Sequence, residues 1–366
     1  MKRLYPFILA GLCAAAALTA CRKAPDTATL HLLVGTYTSS SESKGVYLFD
    51  FDPGDCTSAL IDTADAVNPS FIVPSEDRFF AYAVSETTDG SQGVYSFKLR
   101  DQLVDKLNFR PGCGGAPCNI VIADGSVITS DYIGGTLSVF PIMGDGSLDS
   151  MSFQFTPELR GEQTVPHIHC TAVSPDGNYI FTTDLGSNVI YRASLKGQNL
   201  PPWDFKVAYS FDQQENPGPR HLIFTADGRF AYLISEKGDC VSVFKYSDGE
   251  LEHLSTQTAY DGQGHGSADI HISPDGKFLY TSHRLIEDGI SIFKRNLRTG
   301  GLTKVGFCPT GKHPRNFAIT PDGKLLLCAC RDEGRIEIYR IEPKTGLIHY
   351  TGKSIEVPAP VCIQIL

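Results

Sequence analysis

With 366 residues, 42% of them hydrophobic and including 21 Phe and 15 Tyr beside a single Trp, the chain can bury a large core. Its 32 basic residues against 41 acidic ones leave a net charge of −9. That excludes generic binding to nucleic acid or to an anionic membrane surface, both of which need a basic face. The 35 Gly and 22 Pro suit many tight turns and few long helices.

In chain order, residues 1–21 read as a targeting segment. Lys2 and Arg3 give a basic start, and Phe7 to Leu18 is an apolar run too short for an ordinary membrane span. The run ends in Leu18-Thr19-Ala20-Cys21, which resembles the bacterial lipoprotein signal with Cys21 as the lipidated residue. That reading predicts a lipid-anchored protein of the cell envelope, with residues 22–29 as a tether and 30–366 as the folded body. Of the eleven cysteines, Cys13 and Cys21 fall in the signal segment, leaving nine. An odd number cannot all pair internally. Cys113 and Cys118 are placed to close a short loop, and Cys328 and Cys330 share one face of a strand. The others read as small core residues, and no Cys/His spacing reads as a metal site.

From Gly45 onward the chain repeats. Aligning the Asp of each predicted turn gives Asp77, Asp124, Asp176, Asp227, Asp275 and Asp322, at spacings of 47, 52, 51, 48 and 47 residues. Each unit holds an apolar strand, a turn such as Ser174-Pro175-Asp176-Gly177, a second strand, a third such as Val241-Ser242-Val243-Phe244, and a weaker fourth. Four strands per unit of about 40–50 residues is the β-propeller pattern. The ends supply one more blade. His31 to Tyr37 and Gly45 to Phe49 read as second and third strands lacking a first, and Ala359 to Ile365 as a first strand lacking its followers. Joining them predicts an all-β, seven-bladed propeller closed by N-terminal strands pairing with the C-terminal strand.

In such a ring the entry to strand one and the exit of strand two lie on one face. Seven residues before each turn Asp stand Ser70, Pro117, His169, Arg220, Ala268 and Arg315. Nine after it stand Glu86, Leu185, Glu236, Arg284 and Arg331, the third blade being too short there to register. His169, Arg220, Glu236, Arg284, Arg315 and Arg331 therefore converge on one rim, where unpaired charges would be costly. One reading is an ion-pair network in which arginines bridge Glu86 and Glu236 between blades. The other is an anion site, favoured by the surplus of arginine over carboxylate, with His169 and Glu236 able to move protons. Nearby, His167 and His169 are expected to face apart, with His167 on the rim. His221 is open between a core and a site role. Asp269 either orients Arg284 or binds substrate, and His313 reads as a solvated loop residue.

At these residues the chain resembles the seven-bladed propeller lactonase family, which holds bacterial 6-phosphogluconolactonases and fungal carboxymuconate cyclases. The resemblance spans about residues 30–366. It rests on Val34-Gly35-Thr36-Tyr37-Thr38, Pro166-His167-Ile168-His169, Gly218-Pro219-Arg220-His221 through Glu236, Ala268-Asp269-Ile270-His271, Ser282-His283-Arg284 and His313-Pro314-Arg315. It implies catalytic His169, Arg220, Glu236 and Arg284. It departs from the family at His283, where Asn is usual, and at Arg331, where Gln is frequent. The expectation is a lactone hydrolase acting without cofactor or metal on a sugar-derived or carboxylated lactone. His221, Asp269, Arg315, Arg331 and His167 would contact the substrate. The alternatives are a membrane-anchored propeller that binds sugar acids or a protein partner without catalysis, and a muconate-type cyclase. The roles of His169 and Glu236 are exchangeable at this level.

Overall fold

The computed structural model describes residues 29–100, 103–159, 164–197, 201–212, 217–262 and 266–366. The signal segment, Cys21 and residues 22–28 of the tether lie outside them. Seven antiparallel sheets of four strands each form the ring. Blades two to seven use four strands consecutive in sequence. Blade one takes its innermost strand from Pro360–Ile365, followed by Leu30–Thr36, Gly45–Asp52 and Thr57–Asp65. The closure is in register, Leu33 opposite Gln364, Val34 opposite Ile363 and Gly35 opposite Cys362. Gly35 is needed there because a Cβ would sit 2.2 Å from the Pro69 carbonyl oxygen of the next blade.

The alternating apolar residues of each blade pack against the facing sheet of its neighbour. Phe181 of blade four meets Leu222, Leu233 and Phe244 of blade five, and Tyr280 and Ile292 of blade six meet Phe317, Leu326 and Tyr339 of blade seven. A second tie recurs in three blades. The hydroxyls of Tyr82, Tyr232 and Tyr280 donate to the carbonyl oxygens of Gly146, Gly300 and Gly346 in the following blade. Each is a buried hydrogen bond whose loss costs about 1 kcal/mol.

The turn signals have a physical cause. In Ser174-Pro175-Asp176-Gly177 the Ser174 hydroxyl donates to Asp176, which also accepts the Asn178 N–H, and Gly177 takes φ +69. Thr225 with Asp227, Ser273 with Asp275 and Thr320 with Asp322 repeat this. Blade three departs from it. Its turn is Asp124-Gly125 with φ +50 and +68, a two-residue hairpin turn two residues shorter than those of blades four, five and seven, one on each side. The nine cysteines of the folded body are all free, seven of them buried, so the predicted Cys113–Cys118 closure does not form. Thr129 donates to the Cys113 sulfur and Cys118 donates to the His169 carbonyl, which leaves the two side chains facing different partners. Cys328 and Cys330 do share a face, 4.0 Å apart.

Candidate active site

Two rows of positions meet on the face opposite the Asp turns. The inner strands begin with a β-bulge, and the residue that the register skips is Cys118, His169, Arg220 and Arg315 in blades three, four, five and seven. In blade six it is the pair Ala268 and Asp269. A bulge inserts one residue opposite a normal pairing and turns its side chain out of the sheet. That is how the fold aims these groups at a shared centre. Gly218 at φ +63 makes the bend that admits Arg220. The short turn of blade three shifts its count by one, so the first-row residue there is Cys118 and not Pro117.

The second row is the residue immediately after each second strand. Around the ring it reads Tyr37, Glu86, Tyr132, Leu185, Glu236, Arg284 and Arg331. Glu236 is the hub of one half. Its carboxylate accepts from Arg220 Nε at 2.7 Å and pairs with Arg284 Nη2 at 3.0 Å. Arg220 is 1% exposed, and its Nη1 also donates to the Ala268 carbonyl. Burial opposes ionisation of Glu236, but Arg220, Arg284 and Arg315 outweigh it and hold its carboxyl below the usual range. Arg284 Nη1 donates to His313 Nε2 at 3.1 Å, and its own Nε is buried with no hydrogen-bond partner. Burial and the Arg220 guanidinium pull Arg284 down to about 9, still protonated at neutral pH.

His169 completes this half. It is buried, its edge meets the His221 ring at 5.3 Å, and its Nδ1 has no hydrogen-bond partner. Burial and then Arg220 push it well below the ordinary imidazole range, so it is neutral at working pH. In the other half, the Tyr37 hydroxyl donates to Glu86 at 2.8 Å and Arg315 approaches Glu86 at 3.7 Å. Arg315 and Arg331 lie over the Tyr37 ring, 5.6 and 6.0 Å from its centre. Arg331 begins a short 3-10 turn, Arg331–Glu333, and donates to Asp332 at 2.6 Å. Arg315 also acts on Glu236 through its charge and so couples the halves.

The structure thus brings His169, Arg220, Glu236, Arg284, Arg315 and Arg331 to one face, with the bridging of Glu86 and Glu236 that an ion-pair network predicts. Three expectations are corrected, and one left open is resolved. Asp269 does not reach Arg284, because its two oxygens are taken by His221, His271 and Asn316. His313 is not solvated. It occupies the left-handed position before the inner strand of blade seven, at φ +60, and is buried against Arg284. Burial and Arg284 push it down to about 3. His167 and His169 do not face apart, since His167 stands just before the inner strand and the bulge at His169 breaks the strand's alternation. Both rest on Tyr132, His167 stacked at 4.5 Å and His169 edge-on at 5.7 Å. His167 spends its Nδ1 on the Tyr132 carbonyl. Finally, His221 is both core and site: buried, yet hydrogen-bonded to Arg220. Tyr37 and Tyr132 were not found from sequence. Counting from the end of strand two instead of from the turn would have placed both. His283 points away from the site, between Ser267 and Thr281, so its departure from the family pattern lies in the blade and not in the chemistry.

A family profile described as "Lactonase, 7-bladed beta-propeller" matches residues 31–365. A 6-phosphogluconolactonase of Formosa agariphila is 33% identical over 348 residues, covering 91% of this chain and 99% of the relative. Among solved structures, a putative 6-phosphogluconolactonase from Bacteroides uniformis is 44% identical, covers 92% of this chain and 99% of its own, and superposes with a TM-score of 0.88. A periplasmic gluconolactonase of Pseudomonas aeruginosa is 26% identical, covers 93% and 99%, and has a TM-score of 0.85. By its whole-length match, its bulge-borne arginines and its seven sheets, the chain belongs to the seven-bladed β-propeller lactonase family.

Proposed function

We propose that the protein hydrolyses a lactone to its hydroxy acid on the face that carries Glu236. The observation that carries this is the union of two buried guanidiniums on one carboxylate with a neutral histidine whose Nδ1 is unpartnered. Arg220 and Arg284 are fixed before substrate arrives, which is the arrangement that stabilises a developing oxyanion without reorganisation. His169 takes a proton from water as the water oxygen attacks the carbonyl carbon. When the tetrahedral intermediate collapses, the ring C–O bond breaks and the leaving alkoxide takes that proton from the His169 imidazolium. Glu236 stays ionised throughout and serves to hold the two arginines. It is a poor proton donor because three arginines act to keep it charged. The carboxylic acid so formed loses its remaining proton to solvent, and the carboxylate is held by the same guanidiniums.

The names of the relatives support a sugar-derived lactone, and Arg315 and Arg331 over Tyr37 supply room for an anionic substituent on it. The arginines supply the positive charge this chemistry needs, so we read the reaction as metal-independent and cofactor-free. Lys2 and Arg3, the apolar run and Cys21 support a lipid-anchored envelope protein. The test is a panel of δ-gluconolactone, 6-phosphogluconolactone and simple aliphatic lactones, assayed on the purified protein with and without a chelator. Hydrolysis of at least one sugar lactone, unchanged by chelation and lost in Glu236→Gln, is expected. No turnover, together with calorimetric binding of aldonates, would replace the reading by a non-catalytic one. Loss of lipid labelling in Cys21→Ser tests the anchor.

A further inference from the structure

Asp269 is a buried carboxylate, and among the described residues no guanidinium or ammonium lies within salt-bridge distance of it. One oxygen meets His221 Nδ1 at 2.9 Å and the Ile270 N–H at 3.0 Å. The other meets His271 Nε2 at 2.9 Å, Asn316 Nδ2 at 2.6 Å and the Phe317 N–H at 3.3 Å. The chemistry of the partners in this file fixes the protons on His221. Arg220 Nη1 can only donate, so His221 Nε2, 3.2 Å away, is the acceptor. His221 must then carry its hydrogen on Nδ1 and donate it to Asp269. The carboxylate therefore sets the tautomer that lets His221 hold Arg220.

His271 stands at the other end of the file. It lies two residues further along the inner strand of blade six, Ser267–Ile272, toward the turn face. Its side chain is 40% exposed and lines a cavity of about 540 Å³ on that face, with Asp227, Arg229, Asp275, Arg295 and Leu297. The Phe317 ring meets it edge-on at 4.8 Å. The two histidines on the one carboxylate are driven in opposite directions. Burial and Arg220 push His221 down to about 4. The Asp269 charge raises His271, which is only partly buried.

We infer that His271, reached from the opposite face of the disc, is a positioning residue for the reaction: through Asp269 and His221 it orients the Arg220 guanidinium against Glu236. This rests on the hydrolytic reading for its kinetic arm only. Misplacing a guanidinium that must meet a transient oxyanion lowers turnover more than substrate binding.

The test compares His271→Ala, which removes the donor, with His271→Gln, whose amide restores a neutral donor at the same reach. We expect kcat to fall about tenfold in His271→Ala with KM within about twofold, and most of kcat to return in His271→Gln. Nitrogen-15 spectra of the imidazoles give a second readout. Wild type and His271→Gln should show His221 as the neutral Nδ1–H tautomer, and His271→Ala should show that signal shifted or exchange-broadened. Wild-type kcat in His271→Ala, or an unchanged His221 signal in it, overturns the inference. If the wild-type protein opens no lactone, the hydrolytic reading falls, and the His221 signal alone decides this one.

Discussion

The two faces of the disc are built from the same hairpins and obey opposite rules. On the turn face one solution recurs, a Ser or Thr donating to an Asp two residues on, with Gly behind it. On the site face the seven equivalent positions carry Tyr, Glu, Tyr, Leu, Glu, Arg and Arg. The difference is physical. A tight turn must satisfy its own backbone and needs a left-handed residue, so few sequences serve. Each residue of that row spends its backbone N–H on a carbonyl just before the inner strand, so the fold leaves its side chain free for chemistry. What each position does on the site face is then decided by its neighbours across the blades.

The sharpest way to break this contrast is to remove a charge from the site face. Arg220→Ala should lower kcat/KM about 10³-fold, the scale of losing a preorganised oxyanion donor. It should also destabilise by about 3 kcal/mol, since Glu236 loses a partner that is itself fully buried. Steady-state kinetics and denaturant unfolding check both, and a variant with normal turnover would end the assignment.

A second test uses acid. His169, His221, His283 and His313 are all held below the ordinary histidine value of about 6.5. The unfolded chain therefore binds more protons below that pH, so stability is full above pH 6.5 and lost as pH falls. The loss approaches about 2 kcal/mol per histidine by pH 5. His271, raised instead, contributes in the opposite sense, strongest below its unfolded value and lost as pH rises through its folded one. Because His283 turns away from the site, His283→Asn should flatten the acid loss of melting temperature and leave kcat unaltered. A kcat that falls with it would place His283 in the chemistry.

Smaller effects separate the faces further. Tyr132→Ala removes the ring on which His167 and His169 rest and should cost about tenfold in kcat, while Tyr132→Phe keeps the ring and should be near wild type. Tyr280→Phe removes only the blade-to-blade tie to Gly346, costing about 1 kcal/mol of stability with no kinetic change.

The same contrast explains what could be read from sequence. The blade count, the ring closure and the convergence of His169, Arg220, Glu236 and Arg284 on one face were legible, because the turn Asp recurs and gives a ruler along the chain. The ruler failed where a turn changed type. Asp124-Gly125 shortened blade three, which hid Tyr132 and put Pro117 where Cys118 belongs. His313 was misread because Gly-Lys-His-Pro-Arg looks like any polar loop, and only the blade packing buries it. Arg284 stood as one of two roles for Asp269 because distance along the strand says nothing about which neighbouring blade a carboxylate meets.

The ring closure also sets a clock. Tyr37 belongs to blade one, and that blade is complete only when Pro360–Ile365 pairs inside Leu30–Thr36. The platform under Arg315 and Arg331, and the hydroxyl that steadies Glu86, are therefore assembled only once Pro360–Ile365 has been made. A nascent chain that has not reached residue 360 carries six blades and half a site. Any chain truncated before residue 360 should be inert whatever its remaining fold, so that synthesis of this one strand and competence for chemistry become the same event.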